Sequence, residues 1–64
     1  MEDKLTVKQW RQLRGYTQQE FAKLVNMKFP TYHSKESGKR EWKAKELREI
    51  SSVLKISIES QLIY

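Results

Sequence analysis

The sequence has no cysteine, one proline, two glycines and a single histidine among its 64 residues. Without cysteine, neither disulfide bonds nor a thiolate metal site can brace the fold, and nothing argues for an oxidising compartment. One histidine also leaves no metal-ligand set and no nucleophile–base pair at a usable spacing. No metal, no cofactor and no enzymatic activity are expected. Apolar runs never exceed a few residues, which excludes a helical membrane span. The opening Met1-Glu2-Asp3-Lys4 lacks the basic and apolar regions of a secretion signal, so the expected location is the cytoplasm.

What is present is charge and helical patterning. A chain of 64 residues suits one domain, 1–64, with a modest core. Thirteen basic residues against eight acidic ones give a formal net charge of +5. The excess is concentrated between Lys28 and Lys45, where Lys28, Lys35, Lys39, Arg40, Lys43 and Lys45 face only Glu36 and Glu41. A local excess of this kind is a footprint for a polyanion, nucleic acid foremost. The plainer reading is a solvated basic surface.

Val7, Trp10 and Leu13 recur at helical spacing, and Thr6 with Gln9 has the form of a capping box. Gly15 is placed to end this first helix in a left-handed conformation. Thr17 with Glu20 starts a second helix of about 17–25, carrying Phe21, Ala22, Leu24 and Val25. Asn26 tolerates the left-handed turn that must follow. A third helix begins near Phe29, where Pro30 is acceptable only in the first turn, and Gly38 stops it. Tyr32 is its inward residue. Residues 39–43 form a basic connector that Trp42 can anchor to the core. Leu47, Ile50 and Leu54 mark a fourth helix over about 44–54. Ser57 can cap a short fifth helix, although the alternation at Ile56, Ser57 and Ile58 also suits a C-terminal strand through Tyr64. The expected core is Val7, Trp10, Leu13, Tyr16, Phe21, Val25, Met27, Tyr32, Leu47, Ile50, Leu54, Ile56 and Leu62.

Two short helices around a tight turn, at about 17–37, followed by a basic connector, fit a helix-turn-helix. The small Ala22 permits the close crossing that such a pair needs. The segments Trp10-Arg11-Gln12-Leu13-Arg14-Gly15-Tyr16-Thr17-Gln18-Gln19-Glu20-Phe21-Ala22 and Tyr32-His33-Ser34-Lys35-Glu36-Ser37-Gly38-Lys39-Arg40 resemble the phage-repressor and Cro-like helix-turn-helix regulators, also called the xenobiotic-response-element type. The resemblance runs over nearly the whole chain, to Lys55-Ile56-Ser57-Ile58-Glu59. It implies an all-α, compact, four- to five-helix lambda-repressor-like domain that binds double-stranded DNA as a transcription regulator.

The same resemblance assigns roles. Gln18 matches a glutamine that contacts a DNA phosphate, against the simpler reading of a solvated first-turn residue. Arg11 and Glu36 match an ion pair that ties the first helix to the end of the third. Lys28, Phe29, Thr31 and Ser34 match positions that read bases in the major groove, with His33 beside them. For Phe29 two readings stand, burial in the core or exposure to thymine methyls. Lys35, Lys39, Arg40 and Lys43 are expected, with Gln18, at the phosphates. Three positions depart from the family pattern: Asn26 replaces a turn glycine, Lys28 replaces a hydroxyl cap, and Lys35 replaces an aromatic or leucine. Family members bind pseudo-palindromic operators as two-fold dimers, and Ile58, Leu62, Ile63 and Tyr64 are the expected homodimer surface, completed on the operator. The rival reading is a protein-interaction module of the same fold, an antirepressor or antitoxin, whose main partner is another protein.

Overall fold

Paired caps start the first two helices. The computed structural model describes residues 4–64; Met1, Glu2 and Asp3, which entered the reading of the N-terminus, lie outside the described residues. The Thr6 hydroxyl accepts the Gln9 N–H at 3.2 Å, and the Gln9 side chain accepts the Thr6 N–H at 2.9 Å. These bonds open α1, Val7–Leu13. Thr17 and Glu20 repeat the exchange at 3.1 and 2.9 Å and open α2, Gln18–Leu24. α3, Phe29–Glu36, has no side-chain cap, and Pro30 occupies its first turn. In α4, Ala44–Leu54, the Glu46 carboxylate accepts the Lys43 N–H at 2.7 Å. Ser57 caps the short α5, Ile58–Gln61.

The four longer helices end alike. Gly15, Asn26, Gly38 and Lys55 each adopt a left-handed conformation, with φ of 80°, 58°, 88° and 58°. In every case the next N–H reaches a carbonyl five residues back: Tyr16 to Arg11, Met27 to Ala22, Lys39 to Ser34 and Ile56 to Ser51, at 2.9–3.1 Å. That bond satisfies a carbonyl the helix end leaves open. Lys55 is the unforeseen member. A long side chain in this region costs about 1–2 kcal/mol relative to glycine.

The chain ends are clipped together. β1, Leu5–Thr6, and β2, Leu62–Ile63, pair in parallel with Leu5 opposite Leu62 and Thr6 opposite Ile63. Residues 58–64 therefore contain both expected alternatives in succession, a turn of helix and then a strand. The architecture is all-α, with five helices among the described residues and this one short ladder.

Val7, Trp10, Phe21, Ala22, Val25, Tyr32, Leu47, Ile50, Leu54 and Leu62 form the buried core. Tyr16, Met27 and Ile56 pack against it half-buried. Leu13 departs from expectation and is 66% exposed. Six residues beyond Val7, it has rotated about a third of a turn off the buried face, and Arg11 takes the inward place. Tyr16, Phe21, Tyr32 and Trp42 form an aromatic chain with successive centroids 5.7 Å apart, which fastens the 39–43 connector to the core. The Trp10 indole N–H donates to the Gln61 carbonyl at 2.7 Å and ties α1 to the end of α5.

These positions separate cleanly in a denaturation experiment. Leu54→Ala, at a fully buried site, is expected to lower stability by about 2–5 kcal/mol. Leu13→Ala is expected to stay within about 0.5 kcal/mol of the parent in urea unfolding.

Candidate nucleic-acid interface

The turn at Asn26 sets α3 against α2, with the buried Ala22 leaving room for the contact. One buried ion pair and one partly buried pair then fix α3. The Arg11 guanidinium donates from Nε to Glu36 Oε2 at 3.0 Å, from Nη2 to Glu36 Oε1 at 3.2 Å, and from Nη1 to the Tyr16 carbonyl at 2.7 Å. Gln18 Nε2 donates to Glu36 Oε1 at 2.9 Å, so one carboxylate gathers α1, α2 and α3. On the other side of the helix, the buried Lys35 ammonium bonds the Glu46 carboxylate of α4. The Asn26 side chain donates to Glu49 at 3.3 Å and joins the turn to the same helix.

These bonds set the protonation of the acids. Burial works to raise Glu36, but hydrogen bonds from Arg11 and Gln18, the Arg11 charge and the nearby Tyr32 hydroxyl outweigh it and hold the carboxyl below its usual range. For Glu46 burial acts the same way, and Lys35 with the Lys43 N–H again prevails. The fully buried Tyr32 hydroxyl has no partner in good hydrogen-bonding geometry. Burial first, and the adjacent Glu36 carboxylate second, push its ionisation far above the phenol range.

With Tyr32 and Lys35 turned inward, a helix of about 3.6 residues per turn places Pro30 and Ser34 opposite them. His33 and Phe29 lie toward one edge of that outward face and Thr31 toward the other. Lys28, Phe29, Pro30 and His33 are exposed, and Thr31 and Ser34 are half-buried. Phe29 is 38% exposed and stacks on His33. Of its two expected states, it takes the exposed one. The connector is held directly to this helix: the Lys39 and Arg40 N–H groups donate to the Ser34 carbonyl at 2.9 and 3.3 Å. The Lys39, Arg40 and Lys43 side chains are exposed.

Against known proteins, the family model described as Helix-turn-helix, HTH_3, matches residues 7–61. The chain belongs to this helix-turn-helix family. No curated protein and no solved structure gives a significant match. HTH_3 modules are in general DNA-binding domains without catalytic chemistry. Both strands fall outside the matched residues. Among the described residues, no helix is long and apolar enough to cross a membrane.

Measured against the family expectations, the structure brings Arg11 and Glu36 together and adds Gln18 to the pair. It separates Lys35 from the phosphate-binding set. That side chain is 6% exposed, and its ammonium is occupied by Glu46. Leu62 likewise leaves the expected dimer surface, because its pairing with Leu5 buries it in the core. Ile58 is half-buried against the core, whereas Ile63 and Tyr64 are exposed. Glu46 and the Tyr16 carbonyl were not singled out from the sequence. The i+3 spacing of Lys35 from Tyr32 was the available signal that a cation turns inward and requires an acid.

Two outcomes follow from the buried acids. The Glu36 side chain is only 1% exposed, so Glu36→Ala strands Arg11 and is expected to remove about 3–5 kcal/mol in urea unfolding. If the domain holds less than that, the variant will show an unfolded far-UV circular dichroism spectrum. The second outcome concerns acid. Glu36 and Glu46 have folded values below the ordinary 4.5, so the unfolded chain binds more protons there. Their stabilisation is complete above about pH 4.5 and is lost as pH falls through the folded values. Urea midpoints measured from pH 7 to pH 2 should fall in that window, and Glu36→Gln should flatten the decline.

Proposed function

We propose that this chain is a sequence-specific double-stranded DNA-binding transcription regulator of the phage or prophage repressor/Cro type. In this reading α3 enters the major groove of a pseudo-palindromic operator, one protomer per half-site. Lys28, Phe29, Thr31 and Ser34 read bases, and Gln18, Lys39, Arg40 and Lys43 hold phosphates. Gln18 Nε2 carries a second N–H beyond the one given to Glu36, so its phosphate role is compatible with the clamp. Ile63 and Tyr64 supply the homodimer surface, completed on the operator.

The observation that carries this reading is the attachment of the connector to α3. Two backbone N–H groups on the Ser34 carbonyl make Lys39 and Arg40 part of the same rigid unit as the outward face of the helix. Phosphate anchors and base-reading side chains must keep a fixed relative position to set a register on the duplex. Here they share a residue.

Selection of duplexes from a random library, followed by salt titration on the selected site, tests the proposal. Lys39→Ala and Arg40→Ala should weaken specific and non-specific binding together. Each should also lower the slope of log K against log salt by about 0.9 per lost phosphate contact. Ser34→Ala should leave the slope unchanged and alter preference at one or two base pairs. Failure to enrich any duplex, with capture of a protein partner instead, would favour the antirepressor or antitoxin reading.

A further inference from the structure

Phe29 and His33 stand one turn apart on α3, with ring centroids 5.8 Å apart and planes 26° from parallel. Their position calls for an explanation. Trp10, Phe21 and Tyr32 are buried in the core, and the more exposed Leu13, Leu24, Ile63 and Tyr64 lie off α3. Phe29 instead keeps 38% of its surface exposed, at the first turn of α3, beside the exposed Lys28. It borders a shallow cleft with Gln19 and Ala22 of α2. The ion pairs that hold α3 lie at its last turn, so they leave this aromatic edge uncovered.

We propose that the stacked Phe29 and His33 rings form an aromatic edge that reads the C5-methyl group of a thymine in the major groove. Phe29 makes the contact, and His33 is the positioning residue that holds its ring. This rests on the reading of α3 as the helix that enters the groove. The chemistry follows from what a groove presents. Its base edges are hydrogen-bond donors and acceptors, and the one apolar group among them is the thymine methyl. A phenyl ring has nothing to give the polar groups, and it is favourable only where it covers that methyl. A lone exposed phenylalanine would also lose side-chain freedom on binding. Stacking on His33 removes part of that freedom beforehand.

The test alters the DNA first and the protein second. In the best duplex from selection, each thymine is replaced in turn by deoxyuridine, which deletes only the methyl. At one position per half-site the wild-type chain should bind about fourfold more weakly, the effect of one buried methyl-sized group. Phe29→Ala should bind the two duplexes equally. His33→Ala should reduce the ratio below about twofold, and His33→Phe, which keeps a ring without the imidazole nitrogens, should restore it. A purely structural role for His33 would shift the melting temperature and both affinities together, with the ratio intact. A wild-type chain indifferent to every deoxyuridine, or a ratio that survives Phe29→Ala, overturns the inference while leaving DNA reading in place. Failure to select any duplex overturns that reading, and this inference with it.

Discussion

The fold turns on a charge that has been taken out of water. The Glu36 carboxylate sits at the C-terminal end of α3, where the helix dipole already disfavours a negative charge. Burial adds a desolvation penalty of several kcal/mol. Such a group is tolerable only if its lone pairs are met, and Arg11 meets them with two donors while Gln18 adds a third. Arg11 is itself satisfied at the Tyr16 carbonyl, which the left-handed Gly15 brings into reach. Apolar contact would let α3 slide or roll at modest cost. A planar fork on a carboxylate does not, because both bonds weaken together when either helix turns.

Lys35 gives α3 a second fixed side. It neighbours Glu36 in sequence but points to α4, so the last turn of the helix is gripped from two directions by opposite charges. The first turn has no such restraint and no side-chain cap. α3 is thus anchored at one end and presents its other end, with Lys28 and Phe29, to its surroundings. On the proposed reading, Lys28 and Phe29 sit on a rigid element whose charged restraints lie at its far end.

How much of this was legible depends on the range of the interaction. Local chemistry was readable: the Thr6–Gln9 and Thr17–Glu20 boxes, and the left-handed turns at Gly15, Asn26 and Gly38, follow from residue types a few positions apart. The Arg11–Glu36 pairing came through the resemblance, since spacing alone does not bring together groups on separate helices. Leu13 misled because an i, i+3, i+6 series drifts around a helix, whereas the true face runs through Val7, Trp10 and Arg11. A C-terminal strand was one of two alternatives for residues 58–64, but its pairing with β1 was illegible, because two residues per strand carry no register and the partners are far apart in sequence. Lys35 read as a phosphate-binding cation because its partner, Glu46, is on another helix 11 residues away, where spacing gives no signal.

The two internal pairs also relocate the positive charge that composition reveals. Arg11 and Lys35 are neutralised inside the molecule by Glu36 and Glu46, so neither contributes to the field outside it as a free cation. What remains exposed from the basic stretch is Lys28, Lys39, Arg40, Lys43 and Lys45. Lys28 precedes α3, while Lys39, Arg40 and Lys43 follow it, so cations flank the helix at both ends of its sequence. Ser34 links the two roles proposed for this surface. Its carbonyl holds the Lys39 and Arg40 backbone, and its side chain belongs to the outward face. Replacing that side chain leaves the carbonyl in place, so on the proposed reading sequence preference can change here without displacing the phosphate anchors. Affinity and specificity would then be separable at a single residue, because one is carried by its backbone and the other by its hydroxyl.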